Sequence, residues 1–185
     1  MKSPRKVRVK TLEQAHAFVC AIGKCAIFPD RRSGGPSLWD AVALPDKRPG
    51  ERGWGRKITA VWTWKNRLPS DYPDEIFYGK DERGRAMLMT LECLAKEHYP
   101  RFHRPVEACS PMARKIYALI RVEPMTTGAL RKAVTRQDKL LRAAFAKALV
   151  ELQVTLNVVR SNAPEVVADT WLRFGELYPA IAVNG

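Results

Sequence analysis

The sequence contains no run of about 18 apolar residues, the length that a membrane-spanning helix needs. It also shows no secretory leader, because Glu13 and Lys24 interrupt the apolar character of residues 12–27. These absences argue against a helical membrane protein and against a secreted one. We expect a cytoplasmic protein.

Cysteine is scarce as well, and the four cysteines contain no Cys-x-x-Cys pair. Such a set is too small for a disulfide scaffold in a chain of 185 residues, so we expect reduced thiols in the core. One arrangement has the residue types of a metal site, namely Cys93, His98, His103 and Cys109. Its spacing lacks the close pairs of structural zinc motifs, and we expect instead a buried Cys93 on a helix and two surface histidines. The sequence therefore predicts neither a metal ion nor another cofactor.

The signatures of several enzyme classes are missing too. There is no Gly-x-x-x-x-Gly-Lys phosphate loop, no Gly-x-Ser-x-Gly nucleophile turn and no His-Glu-x-x-His metal motif. A carboxylate that activates water could still come from an acidic group, which comprises Asp71, Asp74, Glu75, Asp81 and Glu82. Because prolines and glycines lie among them, solvated turns are the simpler interpretation. Asp74 and Glu75 stay as catalytic candidates.

Acidic residues are outnumbered, since 32 Lys and Arg oppose 19 Asp and Glu and give a net charge of +13. Residues 1–67 carry 15 basic against 5 acidic side chains, residues 68–108 carry 6 against 8, and residues 109–185 carry 11 against 6. A strongly basic balance favours nucleic acid or an acidic lipid surface as the partner. We expect two electropositive surfaces unless folding merges them.

The C-terminal part of the chain has the clearest helical pattern. Leu141, Phe145, Leu149 and Leu152 recur at helical spacing and predict one buried stripe on a helix over residues 136–152. Other faces of this helix carry basic side chains. Upstream, the pattern predicts helices over residues 112–122 and 128–134, and downstream it predicts strands over residues 155–160 and 166–168.

Three helices followed by a hairpin form the winged helix-turn-helix arrangement, whose third helix commonly enters the DNA major groove. A winged helix can also serve as a dimerisation or protein-docking module, and both interpretations stay open. In the rest of the chain we predict helices over residues 12–22, 38–44, 54–68, 91–99 and 169–178, paired strands over 75–79 and 85–89, and a linker over 99–105. Thr11, Ser37 and Ser110 are placed to cap the helices that follow them, and Pro111 suits a first helical turn.

The predicted fold class is therefore α+β and mostly helical, with a small N-terminal helical and β domain before a winged helix-turn-helix domain. The predicted boundaries are a basic arm over residues 1–10, an N-terminal domain over residues 11–105 and a C-terminal domain over residues 106–185. We expect a monomer.

Aromatic and basic side chains alternate between residues 54 and 67, a composition that can stack bases and neutralise phosphates. Tryptophans at helical spacing are more often core residues, so we expect Trp62 to be buried, whereas Trp54 and Trp64 could pack or bind. The residues predicted to bind nucleic acid are Arg131, Lys132, Arg136, Lys139, Arg142, Lys147 and Arg160 in the C-terminal domain, and Arg56, Lys57, Trp64 and Lys65 in the N-terminal domain.

Several short motifs occur in an order that is similar to one known family. They are Pro36-Ser-Leu-Trp39, Trp62-Thr-Trp-Lys65 with Leu68-Pro69, Phe77-Tyr-Gly-Lys80, Arg85 to Leu91, and Trp171-x-x-Phe174 with Pro179. From about residue 12 onward the chain resembles the AlkZ-like winged-helix DNA glycosylases, and in particular a shorter AlkZ-related branch. The resemblance implies a DNA-binding winged-helix scaffold and a connection to the repair of alkylated or crosslinked bases.

The resemblance does not carry over an active site. The full-length enzymes use a glutamine, an apolar residue and then glutamine or aspartate to place water at the sugar carbon, and the nearest match here is Gln14-Ala15-His16. Gln14 is therefore a third catalytic candidate, although two polar residues on a helix surface are the simpler interpretation.

Together these observations predict a DNA-binding protein, related to repair glycosylases but without a full catalytic site. Its expected partner is duplex DNA and not a membrane. An active glycosylase on alkylated or crosslinked bases stays open as one alternative, and a winged-helix protein-interaction module as another.

Overall fold

The structure is a computed structural model that describes residues 8–30, 34–135, 139–164 and 168–183 of the 185-residue chain. The predicted arm up to residue 7, Arg136 and residues 166–167 of a predicted strand lie outside these ranges. The described chain is an α+β fold, mostly helical, with two three-stranded sheets, which confirms the predicted class. Within the described ranges, no helix combines the length and the apolar character that a membrane span requires.

Two compact units make up the chain. The first unit comprises Met1–Tyr78 and Ala86–Cys93, and the second comprises Gly79–Arg85 and Leu94–Gly185. The chain therefore passes between the units three times. The predicted domain boundary at residue 105 stays a prediction.

The first unit is built from short helices and one sheet. Its elements are α1 (Leu12–Ile22), β1 (Lys24–Ala26), α2 (Leu38–Ala41), α3 (Arg56–Asp71), β3 (Ala86–Thr90), α4 (Leu91–Cys93) and the larger part of β2 (Ile76–Lys80). The strand order is β1-β3-β2, and β1 pairs antiparallel with β3 so that Cys25 lies opposite Leu88. Apolar side chains of the helices and the sheet form one core, in which Leu38, Leu68 and Leu88 are fully buried.

The predicted caps of two of these helices are present. The side-chain oxygen of Thr11 accepts a hydrogen bond from the N–H of Gln14 at 3.3 Å, and that of Ser37 accepts one from the N–H of Asp40 at 3.0 Å. Each cap satisfies a backbone donor that has no partner inside its helix. Gly23 caps the C-terminal end of α1. Its φ of 76° lies in the left-handed region that glycine adopts without a steric penalty.

Helix α3 buries a different face from the predicted one. Val61, Trp64, Lys65 and Leu68 are buried at helical spacing, whereas Trp62 is 44% exposed. The prediction that Trp62 is buried is therefore wrong. Trp62 and Trp64 lie about 200° apart around the helix, so only one of them can face the core.

The second unit holds the longer helices. Its elements are a π-helical turn (Leu94–His98), α5 (Tyr99–Phe102), a 3-10 turn (Val106–Ala108), α6 (Pro111–Ile120), β4 (Met125–Thr126), α7 (Thr127–Thr135), α8 (Lys139–Val154), β5 (Val158–Arg160), β6 (Thr170–Arg173), α9 (Phe174–Leu177) and α10 (Pro179–Ala182). Its sheet has the order β4-β6-β5, with both pairs antiparallel.

Helices α6, α7 and α8 enclose the core of this unit. The predicted stripe on α8 is buried at Phe145, Leu149 and Leu152, with Leu141 half-buried, and it packs against α6 and α7. At the start of α6 the hydroxyl of Ser110 accepts a hydrogen bond from the N–H of Ala113, as the sequence predicted. The same hydroxyl donates to a carboxylate oxygen of Glu151 on α8 at 2.5 Å, which ties the two helices together.

Two predicted elements of the second unit differ from the structure. The predicted linker over residues 99–105 begins with helix α5. Tyr99, the first residue of this helix, is buried, and its ring stacks on Phe174 with 5.1 Å between ring centroids, so the segment is packed into the unit. The predicted terminal helix over residues 169–178 begins as strand β6. Trp171 pairs with Met125 of β4 and with Arg160 of β5, so partners remote in the sequence override the local helical spacing.

A buried polar group follows the end of α8. The side-chain amide of Asn157 donates to the carbonyl of Arg104 at 2.9 Å and to the hydroxyl oxygen of Thr155 at 2.8 Å. Thr155 in turn donates to the carbonyl of Glu151 at 2.8 Å. These bonds hold the segment before α6 against the end of α8.

Candidate nucleic-acid interface

An open pocket of about 250 Å³ lies between α7 and α8 in the second unit. Phe145 and Leu149 contribute apolar walls, and Arg131 and Arg142 bring two cations to the same pocket. The guanidinium carbon of Arg131 lies 5.9 Å from the centroid of the Phe145 ring, within range of a cation–π contact. The surface therefore combines an apolar floor with positive charge.

The predicted basic residues of this unit have unequal access to solvent. Arg131, Lys132, Arg142 and Lys147 are exposed, on α7 and α8. Arg160 is less accessible, because its side chain is 15% exposed and pairs with Asp169 at 3.1 Å. The side chain of Lys139, like Arg136, lies outside the described part of the chain.

The residues of the first unit that were predicted to bind nucleic acid also differ in their access to solvent. Arg56 is exposed and Lys57 half-buried, with the Lys57 ammonium 4.6 Å from the centre of the Trp39 ring. Trp64 and Lys65 are only 8% and 6% exposed, which argues against direct contact with a nucleic acid in this conformation. Their place in the candidate interface stays an untested prediction.

Trp54 and Trp62, which we call the tryptophan pair, instead offer accessible aromatic surface in this unit. Trp54 is 63% exposed and Trp62 44% exposed, and their rings meet edge to face with 5.7 Å between centroids. The ammonium of Lys65 lies 4.1 Å from the centre of the Trp62 ring. The pair is thus fixed by neighbouring side chains while leaving ring surface open to solvent. The sequence indicated this composition but not which tryptophan is exposed.

Two of the five acidic residues serve local structure. Asp71 pairs with Arg67 at 2.6 Å one helical turn away. Asp81 is buried and accepts hydrogen bonds from the N–H groups of Arg83 and Arg85, as expected for a turn-forming aspartate. Asp74 is exposed in the turn before β2. These contacts give a structural reason for two of the five carboxylates.

The other two catalytic candidates are Gln14, which belongs to α1, and Glu75, which contacts α1. The side-chain oxygen of Gln14 accepts a hydrogen bond from the backbone N–H of Lys10 at 2.8 Å, at the start of the helix. The carboxylate of Glu75 lies 3.0 Å from Nε2 of His16, and Sγ of Cys20 lies 3.4 Å from the same nitrogen. The sequence pointed to Glu75, and to His16 only as part of Gln14-Ala15-His16, but it did not single out Cys20 or bring the three residues together. The available signal was the four-residue spacing of His16 and Cys20 on one helix face.

The residues of the sequence-derived metal arrangement have other partners. His98 is buried, with Nε2 3.3 Å from the carbonyl of Lys80, so the expectation of a surface histidine is wrong at this position. Nδ1 of His103 lies 3.2 Å from the carbonyl of Thr155. Cys93 and Cys109 are buried, and burial raises the pKa of the Cys109 thiol. The expected burial of Cys93 is confirmed.

One comparison with known proteins identifies a family. The family model described as AlkZ related matches residues 9–170, which cover most of the chain. No curated protein and no solved structure gives a significant match. The matched range includes α1, the tryptophan pair, the α7 and α8 surface and the first residue of β6. The chain therefore belongs to the AlkZ-related family, which relates it to the glycosylase-like proteins of DNA repair.

Proposed function

We propose that this protein binds duplex DNA through a winged helix-turn-helix in its second unit, and that it does so as a repair-glycosylase relative that does not itself excise bases. The observation that carries the proposal is the exposed basic surface of α7 and α8 within a unit whose elements follow the winged-helix order. Family membership supplies the connection to DNA repair.

The order of elements supports the winged-helix part of the proposal. Helix α6, strand β4, helices α7 and α8 and strands β5 and β6 follow one another, and the three strands form one antiparallel sheet. Winged helices have this succession, with the second helix of the turn facing the major groove and the hairpin as the wing. On this assignment α8 is the recognition helix, and strands β5 and β6 belong to the wing.

Charge supports duplex DNA as the partner. Arg131 and Lys132 on α7 and Arg142 and Lys147 on α8 are exposed, so their cations are available to phosphates. Phosphate contacts of this kind provide most of the sequence-independent affinity and set the orientation on the duplex. A protein-docking winged helix does not require such a surface, which is why we favour DNA.

The candidate catalytic residues support binding without excision. Hydrolysis of a glycosidic bond needs a base rotated out of the stack, stabilisation of positive charge on the sugar, and a water held on the opposite face. The Gln14 side chain accepts a hydrogen bond from the Lys10 backbone at the helix start, and the Glu75 carboxylate contacts His16. Neither arrangement resembles a pair of groups that share one water.

The proposal predicts binding of damaged DNA without turnover. We expect the protein to retard duplex DNA that carries an alkylated purine in a gel, and to leave no abasic site after prolonged incubation with the protein in excess over the DNA. Alkaline strand cleavage measures this, because an abasic site breaks under alkali and an intact lesion persists under the assay conditions.

Strand breakage above that of a protein-free sample would instead support an active glycosylase. The variants Asp74→Asn, Glu75→Gln and Gln14→Ala would then show which side chain holds the water. Absence of retardation at low salt would favour the protein-interaction module.

The tryptophan pair predicts a second contribution to binding. Replacing Trp62 with alanine removes the more firmly held ring, and base stacking on an aromatic side chain is worth about 1 to 3 kcal/mol. We expect affinity for DNA with an unpaired or extruded base to fall about 5- to 150-fold, as measured by fluorescence anisotropy.

The variant Trp62→Phe is the matched control, because it keeps an aromatic face and should retain most of the affinity. Since Trp62 is 44% exposed, both variants should melt close to the wild type. Equal affinities of the alanine variant and the wild type would remove the tryptophan pair from the proposed interface.

A further inference from the structure

We propose that His16, Cys20 and Glu75 form a binding site for one divalent transition-metal ion, with zinc as the best fit. In the described part of the chain, this is the group in which at least three side chains of metal-ligand type bring their ligand atoms together, all within 4.8 Å of one another. The proposal stands apart from DNA binding, because the three residues belong to the first unit and carry no part of the α7 and α8 surface.

The fold holds each of the three side chains in place. His16 and Cys20 lie one turn apart on α1, so both project from the same face of the helix. The His16 ring stacks on Tyr72 with 3.8 Å between centroids and an angle of 14°, which fixes the plane of the imidazole. The backbone of Glu75 is anchored on both sides, because its N–H donates to the carbonyl of Tyr72 and its carbonyl accepts from the N–H of Leu91. Ordering the ligands before the ion binds reduces the entropy lost on binding.

The distances of the sulfur and the oxygen from the imidazole nitrogen are close to those around a tetrahedral ion. Zinc binds sulfur at about 2.3 Å and nitrogen or oxygen at about 2.0 to 2.2 Å, so a tetrahedral site places a sulfur about 3.6 Å and an oxygen about 3.4 Å from the nitrogen. The observed distances from Nε2 of His16 are 3.4 Å to Sγ of Cys20 and 3.0 Å to the carboxylate of Glu75. Both distances differ from those of a tetrahedral site by only a few tenths of an ångström, and the sulfur and the carboxylate oxygen lie within 4.8 Å of each other.

The same geometry argues against a cysteine nucleophile with a histidine base. In such a triad one ring nitrogen faces the nucleophile and the other faces the carboxylate that orients the ring. Here the thiol and the carboxylate both approach Nε2 of His16. Convergence on one imidazole nitrogen is the arrangement that an ion requires, since the ion occupies the point between the three atoms.

The ligand set indicates the class of metal and the kind of site. Imidazole and thiolate favour zinc and related late transition metals over magnesium or calcium, which prefer oxygen alone. Three protein ligands leave one tetrahedral position, and Cys20 and Glu75 are exposed, so water can reach it. Because an ion binds the thiolate form of cysteine, binding would displace the Cys20 thiol proton into solvent.

The test uses the full-length protein after removal of metals with a chelator. Zinc chloride is titrated against a chromogenic chelator that competes for the ion, and cobalt chloride is added to a second sample to record visible absorption. We expect one zinc ion per chain and a thiolate-to-cobalt charge-transfer band. Each of the variants Cys20→Ser, His16→Gln and Glu75→Gln should bind zinc at least about 10-fold more weakly, since loss of even an outer hydrogen-bonding partner of a ligand costs about 10- to 100-fold.

The variant Glu82→Gln is the matched control, because it removes an exposed carboxylate elsewhere in the chain and should leave zinc affinity unchanged.

Cys20 is the exposed one of the four cysteines, so zinc should also slow the alkylation of the single rapidly reacting thiol. Thermal melting without metal identifies any variant that fails to fold. If one does, the variant Glu75→Gln decides the outcome, because Glu75 is exposed and its replacement should leave folding intact. A wild type that leaves zinc with the chelator, or variants that all match it in affinity, would overturn the proposal. Neither result bears on DNA retardation.

Discussion

Replacement of Phe145 with alanine should lower the free energy of unfolding by about 3 to 5 kcal/mol, the usual cost of removing a buried phenylalanine. The Phe145 ring is 2% exposed, lies in the core between α6, α7 and α8, and has Arg131 above it. Alanine at this position leaves a cavity that the surrounding helices can close only in part. Urea denaturation followed by circular dichroism measures the change.

The variant Lys147→Ala is the control, because Lys147 lies on the same helix but is exposed. We expect its unfolding free energy to stay within about 0.5 kcal/mol of the wild type. If Phe145→Ala unfolds at the wild-type urea concentration, the register of α8 described above is wrong. The basic face assigned to that helix would then be wrong with it.

The second large effect is the dependence of DNA affinity on salt concentration. If the four exposed cations Arg131, Lys132, Arg142 and Lys147 each neutralise one phosphate, the logarithm of the binding constant should fall with the logarithm of salt concentration with a slope of about −3.6. Raising the salt from about 50 to about 200 mM should therefore weaken duplex binding by about 150-fold. Fluorescence anisotropy with one labelled duplex at several salt concentrations measures the slope.

Two variants separate the proposed surface from net charge alone. Arg142→Ala should make the slope less steep by about one unit, whereas Lys115→Ala removes the same charge from exposed Lys115 on α6 and should leave the slope unchanged. An equal effect of both substitutions would mean that the charge of the whole chain, and not the α7 and α8 surface, attracts DNA. A slope near zero would contradict DNA binding altogether.

Helices α6, α7 and α8 could be predicted because their signals are local. The stripe on α8 repeats every three to four residues, and Ser110-Pro111 combines a cap with a first-turn proline. The same reasoning found Thr11 and Ser37 in the first unit. A cap acts within one turn of its own helix, so its effect can be inferred without knowledge of the tertiary structure.

The exposed face of α3 could not be predicted in the same way. Ile58, Val61, Trp62 and Lys65 form one helical stripe, and Val61, Trp64, Lys65 and Leu68 form another, with two positions in common. Periodicity alone does not choose between them, because both contain a tryptophan. The choice depends on contacts with α1, α2 and the sheet, which are remote in the sequence.

The candidate metal site was missed for a related reason. His16 and Glu75 are 59 residues apart, and no sequence spacing relates them. They meet because α1 packs against α3 and because the turn after α3 carries Tyr72 and Glu75 back toward α1. Strand β6 was missed likewise, since its pairing partners Met125 and Arg160 belong to two other strands.

The hydrogen bond between Asn157 and the Arg104 carbonyl, together with the stack of Tyr99 on Phe174, bears on how the gene can be divided. A fragment that begins at residue 106 would encode every element of the proposed winged helix. It would nevertheless leave the buried Asn157 amide without the Arg104 carbonyl, and it would expose the face of the buried Phe174 ring on which Tyr99 stacks. The second unit also contains Gly79–Arg85, whose Lys80 carbonyl lies against buried His98. A shortened gene intended to express this unit should therefore begin no later than Gly79.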